Sequence, residues 1–245
     1  LPDDGIINIE GGHFNDILTI TNLTGELTLR GGVNQAATYL EGSVIVNGTQ
    51  AALNFENLVF NAGVSIAQTA RVRLSESVLN GGLSMIQGEA LQIENSVLNA
   101  GAVVIDSGEV NISDSHFTAG VVLSNVEQVS ISGSVMEAGV IVNHSQDVVF
   151  EDTTFESGIN ILDSQVTLNG SGADDHFDVT LTDDPSQVGV SGDPAPTLSI
   201  DGGGGADHIT VRGDHGLVSV DGGAGDDVLS VAFPYITPSD LQLTY

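Results

Sequence analysis

From residue 51 to residue 168, apolar and polar side chains alternate in short runs, and the alternation itself returns with a fixed period. Glycines mark that period at Gly63, Gly82, Gly101, Gly120, Gly139 and Gly158. Three residues before each stands a large apolar side chain: Phe60, Leu79, Leu98, Phe117, Met136 and Phe155. One and three residues after come pairs such as Val64 and Ile66, or Val121 and Leu123. Ten and eight residues before come Leu53 and Phe55, Val72 and Leu74, and their counterparts down to Val148 and Phe150. A period of two is the strand period, and no helical spacing spans a unit. Gly, Asn, Ser and Asp interrupt the runs every few residues, as turns require. Three short strands and three turns in a fixed period describe one coil of a parallel β-solenoid. Six residues before each glycine stand Asn57, Glu76, Asn95, Asp114, Gly133 and Asp152. Asn, Asp and Gly tolerate positive φ, so this column is the expected tight corner.

At 19 residues per coil the 245 residues predict about 13 coils, a rod near 60 Å long at the roughly 4.8 Å strand spacing. The regularity divides the chain into irregular coils or a cap at 1–50, a regular β-helix at 51–168, and a distinct segment at 169–245. In the first segment, Gly42 with Tyr39 before it reads as the coil preceding that of Gly63. After Gly158 the phrase VTLNGSG arrives one residue early. A long coil with unequal faces and an Asn/Asp corner resembles the right-handed β-helix of pectate lyases, phage tailspikes and large secreted adhesins. It is less similar to the left-handed hexapeptide type, so a right-handed coil is expected.

Beyond residue 168 the texture changes. DGGGGADHITV (201–211) and DGGAGDDVLSV (221–231) are two copies of one phrase. Both fit G-G-x-G-x-D-x-U-x, where U is a large apolar residue: Gly202, Gly203, Gly205, Asp207 and Ile209, then Gly222, Gly223, Gly225, Asp227 and Leu229. The nonapeptide resembles the calcium-binding repeat of RTX (repeats-in-toxin) proteins, and the last third of the chain resembles their β-roll. The resemblance implies Ca2+ held by backbone carbonyl and carboxylate oxygens. The metal positions it implies are Gly202, Gly204, Asp207, Gly222, Ala224 and Asp227, with one ion shared between Asp207 and Asp227. Asp174 joins them from the weaker copy NGSGADDHFDV (169–179). Glycines let carbonyls turn toward a hard cation, which prefers oxygen ligands. The chain departs from the family in that the intervening RGDHGLVSV (212–220) is degenerate, so only one edge would carry ions. The other reading is that these are ordinary Gly-Asp turns of a solenoid. For GGHFNDILTI (11–20), where Phe14 stands at a glycine position, that plain reading is preferred.

Charge narrows the partners. The chain has 33 acidic residues against four basic ones, all arginine, for a formal charge of −29. Binding nucleic acid or anionic membranes needs clustered Lys and Arg, so both are poor partners, and neither nucleic-acid binding nor membrane insertion is expected. There is no cysteine, hence no disulfide or thiolate site. No apolar run is long enough to span a membrane. Arg71 and Arg73 flank Val72 beside Glu76 and are a candidate catalytic patch, though a solvated, charge-balanced face is the simpler reading. His208 and His215 adjoin the Gly-Asp loops, where turn-filling is the simpler role. The Arg-Gly-Asp at 212–214 falls within the degenerate half-repeat and reads as part of it. The chain opens at Leu1 without Met and reads as a processed piece.

The expected fold is therefore all-β, a parallel β-helix continuing into an RTX-like β-roll. The expected role is a stiff, calcium-stabilised rod in a secreted bacterial surface protein, surface layer or extracellular fibre, exported as RTX proteins are by type I secretion. No enzyme is expected, because no long loop interrupts the coils between 51 and 168, where a cleft would be built. The alternatives are an adhesin module for glycans or a cell surface, then a polysaccharide-active enzyme. Solenoid ends are open strand edges. ITPSDLQLTY (236–245) alternates like a strand, so head-to-tail self-association into filaments is the expected mode of assembly.

Overall fold

The computed structural model describes residues 5–8, 11–32, 37–182, 197–213, 216–233 and 241–244. Among these residues there is no helix, and every strand pairing is parallel. The chain winds into a β-solenoid of about 11 turns. In the regular region each coil contributes three strands, for example Ala52–Glu56, Leu58–Phe60 and Val64–Ala67. Their equivalents in the next coil are Arg71–Ser75, Val78–Leu79 and Leu83–Ile86. We call the three stacks the first, second and third faces. Register is constant: Val72 lies against Leu53 and Leu91, Leu79 against Phe60 and Leu98, and Met85 against Ile66 and Val104.

Every apolar column read from the sequence is buried. Phe60, Leu79, Leu98, Phe117 and Met136 are fully enclosed, as are the pairs from Leu53 and Phe55 to Val148 and Phe150. Core aromatics meet edge to face within a coil, Phe55 on Phe60 and Phe150 on Phe155, the geometry their quadrupoles prefer.

The corner between the first and second faces is built as the residue types require. Asn57, Glu76, Asn95, Asp114, Gly133 and Asp152 all have φ between 47° and 54°. A second left-handed corner, between the third and first faces, runs through Gln68, Gln87, Asp106, Asn125, His144 and Asp163. Both corners are secured in successive coils by a buried hydroxyl one residue later. The Ser77 Oγ donates to the Ser75 carbonyl (2.8 Å) and accepts the Leu58 N–H (3.2 Å) of the preceding coil. Ser96, Ser115 and Ser134 repeat the arrangement, each accepting an N–H at 3.1 Å. Ser107, Ser145 and Ser164 do the same at the other corner. Gly88 and Val126 lack the hydroxyl at that corner, and Ala102–Ser113 and Val121–Ser132 run through it as unbroken strands.

Two expectations about coil spacing are corrected. The coil before Gly63 does not align through Gly42 and Tyr39. Leu40 lies against Phe60 and Val44 against Val64, so Ser43 holds the glycine position and Tyr39 faces outward, stacked on His13. The count is about 11 turns rather than 13 because several coils are long. Leu27 pairs with Leu53 and Val166 with Leu198, in both cases further along the chain than one regular period. Gly12–Phe14 is a second-face strand paired with Thr38–Leu40, so GGHFNDILTI is not a Gly-Asp loop. Leu241–Thr244 is a first-face strand paired with Leu217–Asp221. Asp214, His215 and the remainder of 234–245 lie outside the described residues.

Candidate functional site: the glycine-aspartate edge

Among the described residues the last strand of the second face is Thr154–Phe155. Among the described residues from Asn169 onward each coil shows two strands, and a short loop takes the place of the second-face one. First-face strands end at Asn169, Asp201 and Asp221, which stack on one another, and third-face strands begin at His176, His208 and Val228. The Gly-Asp phrases fill the gap, so three loops stack along one edge. The weak copy at 169–179 is a full member of this stack.

Register assigns each predicted residue a place. Asp207 and Asp227 are stacked, and the residue above them is Asp175, because His176 lies against His208. Asp174 sits one position earlier, level with Ala206, whose N–H it accepts at 2.8 Å. The two later column aspartates reach to the coil before them: Asp207 Oδ1 accepts the Asp175 N–H (2.8 Å), and Asp227 Oδ1 accepts the Asp207 N–H (3.0 Å). Asp175 Oδ2 accepts the N–H of Ser171 in its own loop at 2.6 Å. Gly204 and Ala224 form an isolated parallel bridge. The Gly202 N–H donates to the Asp221 carbonyl at 2.9 Å.

The glycines are required for two different reasons. Gly203 and Gly223 both have φ of 86°, in the left-handed region. At Gly202 the constraint is space: a Cβ there would lie 2.3 Å from the Gly222 carbonyl oxygen and 2.4 Å from Asp207 Oδ2. Gly222 is crowded in the same way by Asp227 Oδ2 at 2.6 Å. The carboxylate thus folds over the first glycine of its own loop.

Asp207 is the unusual member. It is 1% exposed, and its Oδ2 has no hydrogen-bond partner. Burial raises its pKa above the usual carboxylate range, and the nearby Asp227, Asp175 and Asp174 push it further, against the opposing pull of the Asp175 N–H. An unpartnered buried carboxylate oxygen is costly unless something supplies positive charge. The donor set fits a hard cation. Asp207 Oδ2 and the Gly222 carbonyl oxygen both border the space that a Cβ of Gly202 would fill, and both are ligands of the kind calcium takes. No group of three or more His, Cys, Asp or Glu side chains converges among the described residues. Glycine carbonyls would therefore have to complete any coordination shell.

The other candidates are dispersed. Arg73 pairs with Glu94 (2.6 Å) rather than Glu76, and this hydrogen bond raises its pKa. Glu76 occupies a left-handed corner. Arg71 is exposed at the start of the same strand as Arg73. His208 stacks on His176 with ring centroids 5.2 Å apart, and Arg212 pairs with Asp178. Sequence reasoning missed Asp175 and the serine ladders. No family model matches the chain, and it has no match among curated proteins or solved structures.

Proposed function

We propose that this chain is a stiff spacer in an extracellular structural or surface protein, with its C-terminal coils set by calcium and with no reaction of its own. The observation that supports this reading best is the ladder. From Ala52–Glu56 to Gln165–Asn169 the coils follow one another with no inserted loop, so the segment offers length and rigidity rather than a cleft. Apolar columns hold that segment without help from ions. The Gly-Asp edge differs, because it stacks carboxylates and leaves one buried oxygen open at Asp207. Calcium there would neutralise the column and convert binding energy into folding energy for residues 169–231. Calcium is abundant outside cells, which favours an extracellular setting and export before folding.

Calorimetry and hydrogen exchange with and without a chelator test this. Removing calcium should open the coils from 169 onward and leave 51–168 protected. Asp207→Ala with Asp227→Ala should abolish the calcium response. Absence of calcium binding at millimolar concentration, or equal loss of protection in both regions, would overturn the reading.

A further inference from the structure

Away from the end coils, the exposed large apolar side chains among the described residues are Ile45, Ile86 and Ile141, and all three point outward from the third face. They belong to a continuous surface. Register stacks Ala67, Ile86 and Ile105 in one outward column, resumed at Leu162, and Val103, Val122 and Ile141 in the column beside it. Every coil from Val64–Ala67 to Ile159–Leu162 thus presents at least one aliphatic side chain outward. Neither column carries a charge between Ile45 and Leu162. Carboxylates stand only at the rims, Asp106 and Asp163 on one side, Glu137 and Glu156 on the other.

The other faces differ. The first carries Arg71, Arg73, Glu94 and Glu109 on its strands. The second has a single outward column of half-buried valines at Val59, Val78 and Val97, beside the hydrogen-bonded ladder of Asn61, Asn80 and Asn99. The third face also has a low border. Where the chain enters it stand Ala62, Gly81, Ala100, Ala119 and Ala138, each followed by a glycine. A Cβ at Gly63, Gly82 or Gly139 would meet a carbonyl oxygen at 3.4–3.5 Å, an ordinary contact, so the rod itself does not demand glycine there.

We propose that the third face packs against the third face of a second copy of this chain, the two rods lying side by side and parallel about a twofold axis along the solenoid. That operation sets the column of Ile86 and Ile105 in each copy over the small-residue strip of the other. The column of Ser84, Val103 and Val122 then runs along the axis. One surface supplies both halves of the fit, as an isologous contact requires. The third-face strands from Val44–Asn47 to Ile159–Leu162 cover about 30 Å along the rod and, with the strip, about 20 Å across it, or about 600 Å² per copy. A total of roughly 1,200 Å² reaches the size of specific, stable interfaces. Charge favours the same occupant. Two chains of −29 can meet closely only where carboxylates are absent, and this face provides that. A basic partner would find no carboxylate to pair with here, and an anionic membrane is repelled.

Sedimentation equilibrium of the full chain across micromolar concentrations, at low and high sodium chloride, tests this. Twice the chain mass is expected, with tighter association at high salt, because screening relieves the repulsion of two acidic rods. Ile86→Ser with Ile141→Ser should weaken association by about tenfold or more, since aliphatic burial is lost from both copies. Val78→Ser with Val97→Ser, on the second face, should leave it unchanged. All four side chains point outward, and melting profiles confirm that each variant is folded. The chain has no cysteine, so Ser84→Cys marks a single position on the axis. A short bis-maleimide should join two Ser84→Cys chains and should not join two Ser219→Cys chains, marked on the first face. Monomers throughout, masses growing beyond the dimer, dissociation by added salt, equal weakening by the second-face variant, or no link between Ser84→Cys chains would each overturn the proposal. None of these outcomes bears on the spacer reading, whose readout is calcium-dependent protection of the C-terminal coils.

Discussion

At the scale of single residues, Asp207 concentrates the chemistry of the C-terminal coils. Its raised pKa means the folded state holds a proton more readily than the unfolded chain. Between the ordinary carboxylate range and that raised value, unfolding free energy must therefore fall as pH rises. In chelator, the C-terminal coils should lose stability as pH rises from the ordinary carboxylate range, about pH 4, to neutral, and part of that slope belongs to Asp207. Asp207→Asn keeps an oxygen to accept the Asp175 N–H while removing the charge. The variant should be more stable than the parent at neutral pH without calcium, with a shallower pH slope, as read by denaturant melts at both pH values. An unchanged slope would assign it to the other carboxylates. The corner serines make a second residue-scale prediction. Ser115→Ala removes the acceptor for the Ser96 N–H and leaves it buried and unsatisfied. The expected cost is about 1–3 kcal/mol, whereas Ser130→Ala on the outer surface should change stability by no more than about 0.5 kcal/mol.

Coils are the elements of this molecule, and their legibility in the sequence varied for physical reasons. The first corner could be read because Asn, Asp and Gly recur there and tolerate left-handed backbone. The second corner was harder to read, since Gln68 and Gln87 lack that tolerance and break the column that Asp106, Asn125, His144 and Asp163 continue. The serine ladders were hidden for a related reason. An alternation rule sends hydroxyls outward, yet a serine after a left-handed residue can turn inward and bond two backbone groups. In the Gly-Asp loops the doublet Asp174-Asp175 left a one-residue ambiguity, which the pairing of His176 with His208 removes. The early coils misled because glycine served as the period marker, while Ser43 holds that position in the ladder. The apolar columns needed no such information, since periodicity alone specified them. They give the element-scale prediction: Leu98→Ala, fully buried between Leu79 and Phe117, should cost about 2–5 kcal/mol. Because each coil contacts only its neighbours, the loss of exchange protection should be largest in the coils at 79–117. A uniform loss along the rod would contradict nearest-neighbour stacking.

For the whole molecule the dominant quantity is the charge of −29 spread along a stack of closely spaced coils. Carboxylates on adjacent coils sit within about one Debye length even at 0.1 M ionic strength, so their repulsion is only partly screened. Added monovalent salt should therefore stabilise all coils together, and the gain should continue as screening shortens below the coil spacing. Calcium at matched ionic strength separates a second contribution. If the ion acts only by screening, sodium and calcium solutions of equal ionic strength give similar melting profiles throughout. If it binds at the Gly-Asp edge, calcium adds stability confined to residues from 169 onward, growing with the logarithm of free calcium. Magnesium provides the control, since it demands octahedral geometry and parts with its water reluctantly, so carbonyl-lined loops should respond to it weakly. The expected pattern is a common shift of both regions in sodium chloride, a further shift of the C-terminal coils in calcium, and little further shift in magnesium. Indistinguishable curves for the three salts at equal ionic strength would reduce the edge to ordinary Gly-Asp turns and leave a rod held by its apolar columns and corner hydroxyls alone.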